Sequence, residues 1–199
     1  VKAIKHTKAR FMLFDERPQD ELIRSFNLTH EELNRVEIIQ TLNEEHTVSQ
    51  CVQAVADGKA DLIMKGLIST SELLKEVLKD KYNLKTNYRM SHIAIFNIPE
   101  YHKMLTVSDV AMNIAPTIEQ KIEITSNLVY SLKKIGIDSP KIGVLSAIEN
   151  VNPKMQSSVD AHEVVSYFNQ EKLDLEIEGP IAFDAAINKK ASIIKKIDS

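Results

Sequence analysis

Glycine is scarce in this sequence, five in 199 residues, and neither GxGxxG nor the Walker phosphate-loop pattern occurs. Both patterns need closely spaced glycines to bring backbone N–H groups onto a phosphate, so their absence argues against a nucleotide-binding enzyme of the standard kinds. A single cysteine, Cys51, permits no internal disulfide framework and no cysteine-built metal site. The six histidines are scattered and form neither HxxxH nor HExxH, so no metal site is expected. No apolar run approaches 18 residues and the first residues do not read as a signal peptide. A cytoplasmic protein without a membrane partner is the expectation. With 25 Lys and Arg against 28 Asp and Glu, the net charge is −3 and no basic arm stands out. That balance makes no electrostatic case for nucleic acid.

What is present is an ordinary globular composition, 43% hydrophobic and 27% charged, in a length that suits one large domain or two small ones. Strand-like and helix-like patterns alternate, which predicts an α/β fold. A helix tail at Val1–Arg10 leads to a strand at Phe11–Phe14, a short helix at Asp20–Phe26 and a strand at Val36–Ile39. Asn43 is placed to cap a helix running to Asp57, because Val48, Cys51, Val52 and Val55 repeat at helical spacing and Gly58 follows. Cys51 on that face reads as a small buried hydrophobe. A strand is expected at Ala60–Met64, then a helix opened by Ser69 and Glu72 as a capping box. Lys79–Arg89 is a polar connector. Ser91–Ile98 and Met104–Val107 are too closely spaced for a crossover helix and predict an antiparallel hairpin inside an otherwise parallel sheet. Asp109 and Asn113 flank a short apolar run. Thr117 and Gln120 open the longest helix, to about Ile135, with Gly136 ending it. Pro116 marks a domain junction, dividing the chain into 1–115 and 116–199.

The chain is organised around Lys141–Ala161. Ile142–Ala147 has the apolar, β-branched character of a buried parallel strand, after which the polarity switches to Glu149, Asn150, Asn152, Pro153 and Lys154, and a helix starts near Ser157. In open α/β sheets ligands bind beyond the carboxyl ends of the strands, and two amides, a lysine and a helix N-terminus suit an anion. The same residues also make an ordinary strand-to-helix turn. Lys65, Gly66 and Ser69 offer a second such turn, and again a capping box alone would serve only to start a helix. Arg89 could fork onto a phosphate or sit as a solvated charge at a sheet edge. Leu173, Leu175 and Ile177 alternate with acidic residues, predicting a half-exposed strand at Leu173–Glu178, and Gly179–Asp184 a third strand-end turn before a final helix reaching Ile197. Ser146 follows a strand but lacks the GxSxG elbow of a serine hydrolase.

Five segments occur in order: MKGLISTSELL (64–74), SHIAIFNIP (91–99), VSDVAMNIAPTIEQK (107–121), VLSAIENVNPKMQSSVDA (144–161) and EGPIAFDAAI (178–187). Together they resemble the phosphate acetyltransferase/butyryltransferase family, with wording nearer the butyryltransferase branch. The resemblance implies a three-layer α/β/α fold of the isocitrate/isopropylmalate dehydrogenase type, with two subdomains around an active-site cleft. It implies interconversion of a short or branched acyl-CoA plus phosphate with acyl phosphate plus CoA, by a homodimer or larger assembly. CoA is a substrate there, and no metal or other cofactor is implied.

On that reading Lys65, Ser69, Arg89, Ser146, Asn150, Asn152 and Lys154 are the expected substrate-binding residues, and Asp184 the expected catalytic acidic group. The family also carries a Ser-Arg with a nearby Asp close to its C-terminus, credited with oxyanion stabilisation, phosphate binding and base catalysis. Nothing after Ile187 matches it, and an incomplete chain is the expectation. Two alternatives remain. One is a non-catalytic acyl-CoA-binding regulatory domain of the same fold, the part ascribed to a related domain of bacterial malic enzymes. The other is a metal-dependent decarboxylating dehydrogenase, which would need clustered acidic ligands that the sequence does not provide.

Overall fold

The computed structural model describes residues 1–171 and 173–195, so the last two residues of the expected final helix, Lys196 and Ile197, lie outside the described residues. The chain forms two compact units, Val1–Asn87 and Tyr88–Ser199. Both mix helices with short strands, and among the described residues the strands pair in three separate two-stranded sheets.

In the first unit, β1 (Phe11–Asp15) and β2 (Val36–Gln40) pair in parallel, from Phe11 opposite Val36 to Asp15 opposite Gln40. The connection between them carries α2 (Gln19–Ser25) and α3 (His30–Leu33). Residues 29–33 had no expected structure, yet Thr29 and Glu32 form a reciprocal capping box that nucleates α3. Arg35, just before β2, donates from its guanidinium to the carbonyls of Ile4, Thr7 and Ala9, tying down the end of α1 (Lys2–His6).

Asn43 caps α4 (Glu44–Ala56) by accepting from the His46 N–H at 2.8 Å, and Gly58 leaves the helix at φ 70°, as the spacing predicts. Val48 and Val52 are buried on its inner face with Tyr82, and half-buried Ile63, Ile68, Leu73 and Val77 close around them. Burial of each such aliphatic side chain is worth roughly 1.5–3 kcal/mol. Cys51 sits at the margin of this face, and burial pushes its thiol up, so it stays protonated as a small apolar group.

The strand expected at Ala60–Met64 does not form. The Lys59 and Ala60 N–H groups turn back to the Ala54 carbonyl and finish α4. Leu62 and Met64 are then 73% and 66% exposed, and only Ile63 reaches the core. Apolar content alone does not make a strand where no ladder partner is offered. After α5 (Thr70–Val77), a 3-10 turn at Asp80–Tyr82 returns Tyr82 to the core. There its hydroxyl donates to buried Glu76 at 2.5 Å, and Lys79 and Lys81 bring their ammonium groups to the same carboxylate at 2.6 and 3.2 Å.

In the second unit, β3 (Ala94–Phe96) and β4 (Leu105–Val107) form the expected antiparallel hairpin, but as its own two-stranded sheet rather than inside a parallel one. Thr117 and Gln120 close a full capping box on α6 (Ile118–Lys134), which buries Ile124, Leu128, Val129 and Leu132 and ends at Gly136, φ 87°. β5 (Lys141–Leu145) pairs in parallel with β6 (Glu176–Ile181), and the crossover helix α7 (Gln156–Gln170) packs on both. Ala161, Val164 and Phe168 of α7 form its buried stripe, and α7 is joined to α6 by the Lys121–Asp160 ion pair.

Three expectations change here. β5 is not buried on both faces: Lys141, Gly143 and Leu145 are exposed in alternation with half-buried Ile142 and Val144. β6 lies three residues later than expected. The Leu175 N–H closes a tight turn onto the Leu173 carbonyl, and the ladder starts when the Glu176 N–H reaches the Pro140 carbonyl. Gly179 and Pro180 therefore lie within the strand instead of in a turn beyond it, and a register shift between Gly143 and Leu145 accommodates them. The final helix is in fact two, α8 (Phe183–Ile187) and α9 (Lys189–Ile194), broken where Asn188 turns to cap the Lys190 N–H at 2.9 Å.

Gly179 has a defined reason to be glycine. A Cβ there would lie 2.7 Å from the Val144 carbonyl oxygen, at a φ of 156°. Gly179→Ala is expected to lower stability by about 2 kcal/mol or more, since backbone rather than a mobile side chain would have to yield. Urea unfolding followed by circular dichroism measures this, and an unchanged midpoint would show that β5 and β6 separate freely.

Candidate functional site

Lys65 and Ser69 lie on the loop leading into α5, in the first unit. Lys65 does not end a strand. Its ammonium donates to the carbonyls of Gly66 and Ile68, at 3.2 and 3.0 Å, and folds over its own loop. Ser69 caps α5 by accepting from the Glu72 N–H at 3.2 Å. Glu72 turns its carboxylate onto the Ser69 hydroxyl at 2.6 Å. That hydrogen bond, with a second from Glu44, holds the Glu72 carboxyl below its usual range. A negative charge already stands at this helix start, and an incoming anion would compete with it.

The other expected residues belong to the second unit. Arg89 is held from three sides. Asn127 of α6 donates to its carbonyl at 2.6 Å, Glu123 of α6 lies 3.7 Å from Nε, and Asn113 Oδ1 accepts from Nη1 at 3.2 Å. The side chain remains 39% exposed, so a forked cation is presented to solvent in a fixed pose.

Ser146 continues the β5–β6 ladder through its N–H to the Ile181 carbonyl, 2.9 Å. Its hydroxyl stands 3.0 Å from that of Ser157 in the first turn of α7. The residue preceding that turn, Met155, provides no side-chain cap, and its carbonyl accepts from the Ser158 N–H at 2.9 Å. Lys154 lies exposed just before this helix start. Asn152 is occupied with loop geometry. Its Oδ1 accepts from the Lys154 N–H at 2.9 Å, and its N–H donates to the buried Ser158 hydroxyl at 2.9 Å.

Asn150 lines a cleft of about 310 Å³ together with Glu149, Glu178 and Lys195. Lys195 bridges Glu149 at 2.7 Å and Asp184 at 2.8 Å. The hydrogen bond from Lys195 keeps the Asp184 carboxyl below its usual range, which suits a hydrogen-bond acceptor better than a proton acceptor. Burial pushes Glu178 the other way. Asn150 and Asp184 are thus brought to one place through Lys195, Asn150 from the loop after β5 and Asp184 from the first turn of α8, while Ser146 and Lys154 lie on the stretch between β5 and α7. Lys65 and Ser69 stand on their own loop in the first unit.

Asp109 and Asn113 had no expected role beyond flanking an apolar run. In the structure the 109–113 loop closes on the Asp109 carboxylate, and Asn113 is brought onto Arg89. Their i, i+4 spacing around Val110, Ala111 and Met112 was the available signal. Among the described residues no group of His, Cys, Asp or Glu could hold a metal ion, and no helix is long and apolar enough to cross a membrane.

The fold and these groups define a mixed α/β protein whose loops and helix starts present cations, amides and hydroxyls. A family model described as phosphate acetyl/butaryl transferase matches residues 3–199. The chain is 36% identical over 197 residues to a probable phosphate butyryltransferase of Bacillus subtilis, covering 98% of this chain and 64% of that protein. It is 35% identical over 162 residues to a phosphate butyryltransferase of Clostridium acetobutylicum, covering 81% of this chain and 54% of that one. A branched-chain phosphotransacylase structure from Enterococcus faecalis matches with a TM-score of 0.83 at 36% identity, over all of this chain and 68% of that one. This chain belongs to the phosphate acetyl/butaryl transferase family. It spans 64% and 54% of the length of the two curated relatives.

Proposed function

We propose that the full-length protein is a phosphate acyltransferase interconverting a short or branched acyl-CoA plus phosphate with acyl phosphate plus CoA. The observation that carries this reading is family membership over residues 3–199, joined to likeness with a branched-chain phosphotransacylase along the whole chain. The three-layer α/β/α architecture of the isocitrate/isopropylmalate dehydrogenase type, subdomains meeting near Pro116, a cytoplasmic location and a homodimeric or larger assembly belong to the same proposal.

In one direction the CoA thiolate attacks the acyl phosphate carbonyl carbon, a tetrahedral oxyanion forms, and phosphate departs as the thioester closes. In the other, a phosphate oxygen attacks the thioester and CoA thiolate leaves. Either way an anion has to be held and an oxyanion stabilised. Arg89, held in place, and exposed Lys154 supply positive charge. The hydroxyls of Ser146 and Ser157 and the uncapped start of α7 supply neutral donors. Lys65, Ser69, Asn150 and Asn152 complete the proposed binding set. Asp184, ion-paired to Lys195, is the proposed catalytic acidic group, as an acceptor for the thiol.

A thiol-release assay on the full-length protein tests the reading, with acetyl-CoA, butyryl-CoA and isobutyryl-CoA each offered with and without phosphate. Phosphate-dependent CoA release from a short or branched acyl-CoA is the expected result, and the relative rates rank the chains. Saturable acyl-CoA binding by calorimetry without release would replace it with a regulatory acyl-CoA-binding domain. Neither release nor binding would overturn both.

A further inference from the structure

We propose that Asp109 is a positioning residue for Arg89, acting through the side-chain amide of Asn113; this rests on the reading of Arg89 as the holder of an anionic substrate group. Residues 109–113 leave β4 and close on themselves around one carboxylate. Asp109 Oδ1 accepts from the N–H groups of Ala111 and Met112, both at 3.2 Å, and of His92 at 3.3 Å. Oδ2 accepts from the Asn113 N–H at 3.0 Å and from Asn113 Nδ2.

Asn113 Nδ2 also donates to the Met90 carbonyl at 3.2 Å. An amide NH2 has two protons, and both are committed. Oδ1 is therefore turned outward, where it accepts from Arg89 Nη1 at 3.2 Å. The opposite orientation would put an amide oxygen against the Asp109 carboxylate and an NH2 against the guanidinium, with like facing like at both ends. The charge on Asp109 thus selects one orientation of Asn113, and that orientation steers Arg89.

Glu123 lies at the other end of the guanidinium, 3.7 Å from Nε, and Asn127 fixes the Arg89 backbone. Asp109 is the only carboxylate in this network that never touches the guanidinium, and its influence has to pass through Asn113. Burial pushes the Asp109 carboxyl up, but the hydrogen bonds from Asn113, Met112, Ala111 and His92 outweigh it and hold the group below its usual range. The orienting charge is therefore present throughout the neutral pH range.

The test is a mutant cycle in the full-length enzyme, following phosphate and acyl-CoA kinetics. Asp109→Asn keeps the shape and one acceptor oxygen but removes the charge that orients Asn113. Asn113→Ala removes the acceptor and leaves Asp109 its backbone partners. Each is expected to raise the KM of the anionic substrate about tenfold with kcat within about twofold. In an Arg89→Ala background neither should add a further effect. Equal KM increases in the presence and absence of Arg89 would overturn the inference, as would unchanged KM for both variants while Arg89→Ala itself is impaired. If Arg89→Ala leaves both KM values unchanged, the underlying reading of Arg89 fails and the inference falls with it. Should Asp109→Asn not fold by circular dichroism, Asp109→Ser, which also removes the charge that orients Asn113, takes its place with the same expected and overturning results.

Discussion

Arg89→Ala in the full-length protein is expected to raise the phosphate KM by about 10- to 100-fold, the loss that accompanies removal of a charge-assisted contact worth about 1.5–3 kcal/mol. The size follows from preorganisation. The guanidinium is gripped by Asn113 and Glu123 and its backbone by Asn127 before any ligand arrives, so little ordering cost falls on binding. Arg89→Lys should recover only part of the loss, because an ammonium cannot reproduce the fork or keep the Asn113 contact in the same place. Lys65→Ala should raise the same KM by less, since its ammonium already rests on the Gly66 and Ile68 carbonyls. Steady-state kinetics with phosphate varied at saturating acyl-CoA checks all three. Unchanged phosphate kinetics in both alanine variants would remove these residues from the site.

Glu76 carries the largest expected effect on stability. Its carboxylate is 5% exposed and receives Tyr82, Lys79 and Lys81. Burial alone would push it up, but those three partners together hold it at about 2. Its folded value is therefore depressed, so the stability it contributes is fully present above the unfolded value near 4.5 and is lost as pH falls toward 2. The contribution at neutral pH is on the order of 3 kcal/mol. Glu76→Gln should lower stability at pH 7 by about 2–4 kcal/mol and flatten the acid limb of the stability curve. Tyr82→Phe, which removes one hydrogen bond to the charge, should cost about 1.5–3 kcal/mol. Urea midpoints at pH 7 and pH 3 read both effects, and parallel acid limbs for wild type and Glu76→Gln would show that Glu76 is not the titrating group.

Elements with both a local signal and a partner were legible in the sequence. Asn43 with Val48 and Val52, and Thr117–Gln120 with the α6 stripe, state where a helix starts and which side it buries, and the structure has both. The hairpin was legible because five residues cannot span a crossover. Ala60–Met64 was not, because a strand is defined by its neighbour and no pattern within the segment reports one. Gly179–Pro180 reads as a turn by residue type, while the strand continues through it next to an irregular stretch of β5. Thr29 and Glu32 carried a readable box that their polar surroundings hid. The groups near the starts of α5 and α7 were legible by type but not by commitment. Sequence could name Ser69 and Asn152, yet only three dimensions show the Ser69 hydroxyl bound to Glu72 and Asn152 shaping its loop. Asp109 escaped because its work is done on another side chain.

The two-stranded sheets have a kinetic side. In a lone parallel pair only alternate residues of a strand point their N–H groups at the neighbour, and the rest face outward. Along β1–β2 and β5–β6, roughly every second amide is thus without a cross-strand acceptor within its own sheet. Hydrogen–deuterium exchange on this chain should show an alternating pattern along these strands, fast and slow, while the inner turns of α6 and α7 stay uniformly protected. The helices would then set the slowest exchange, and the strand pairs would be the first places where the backbone opens.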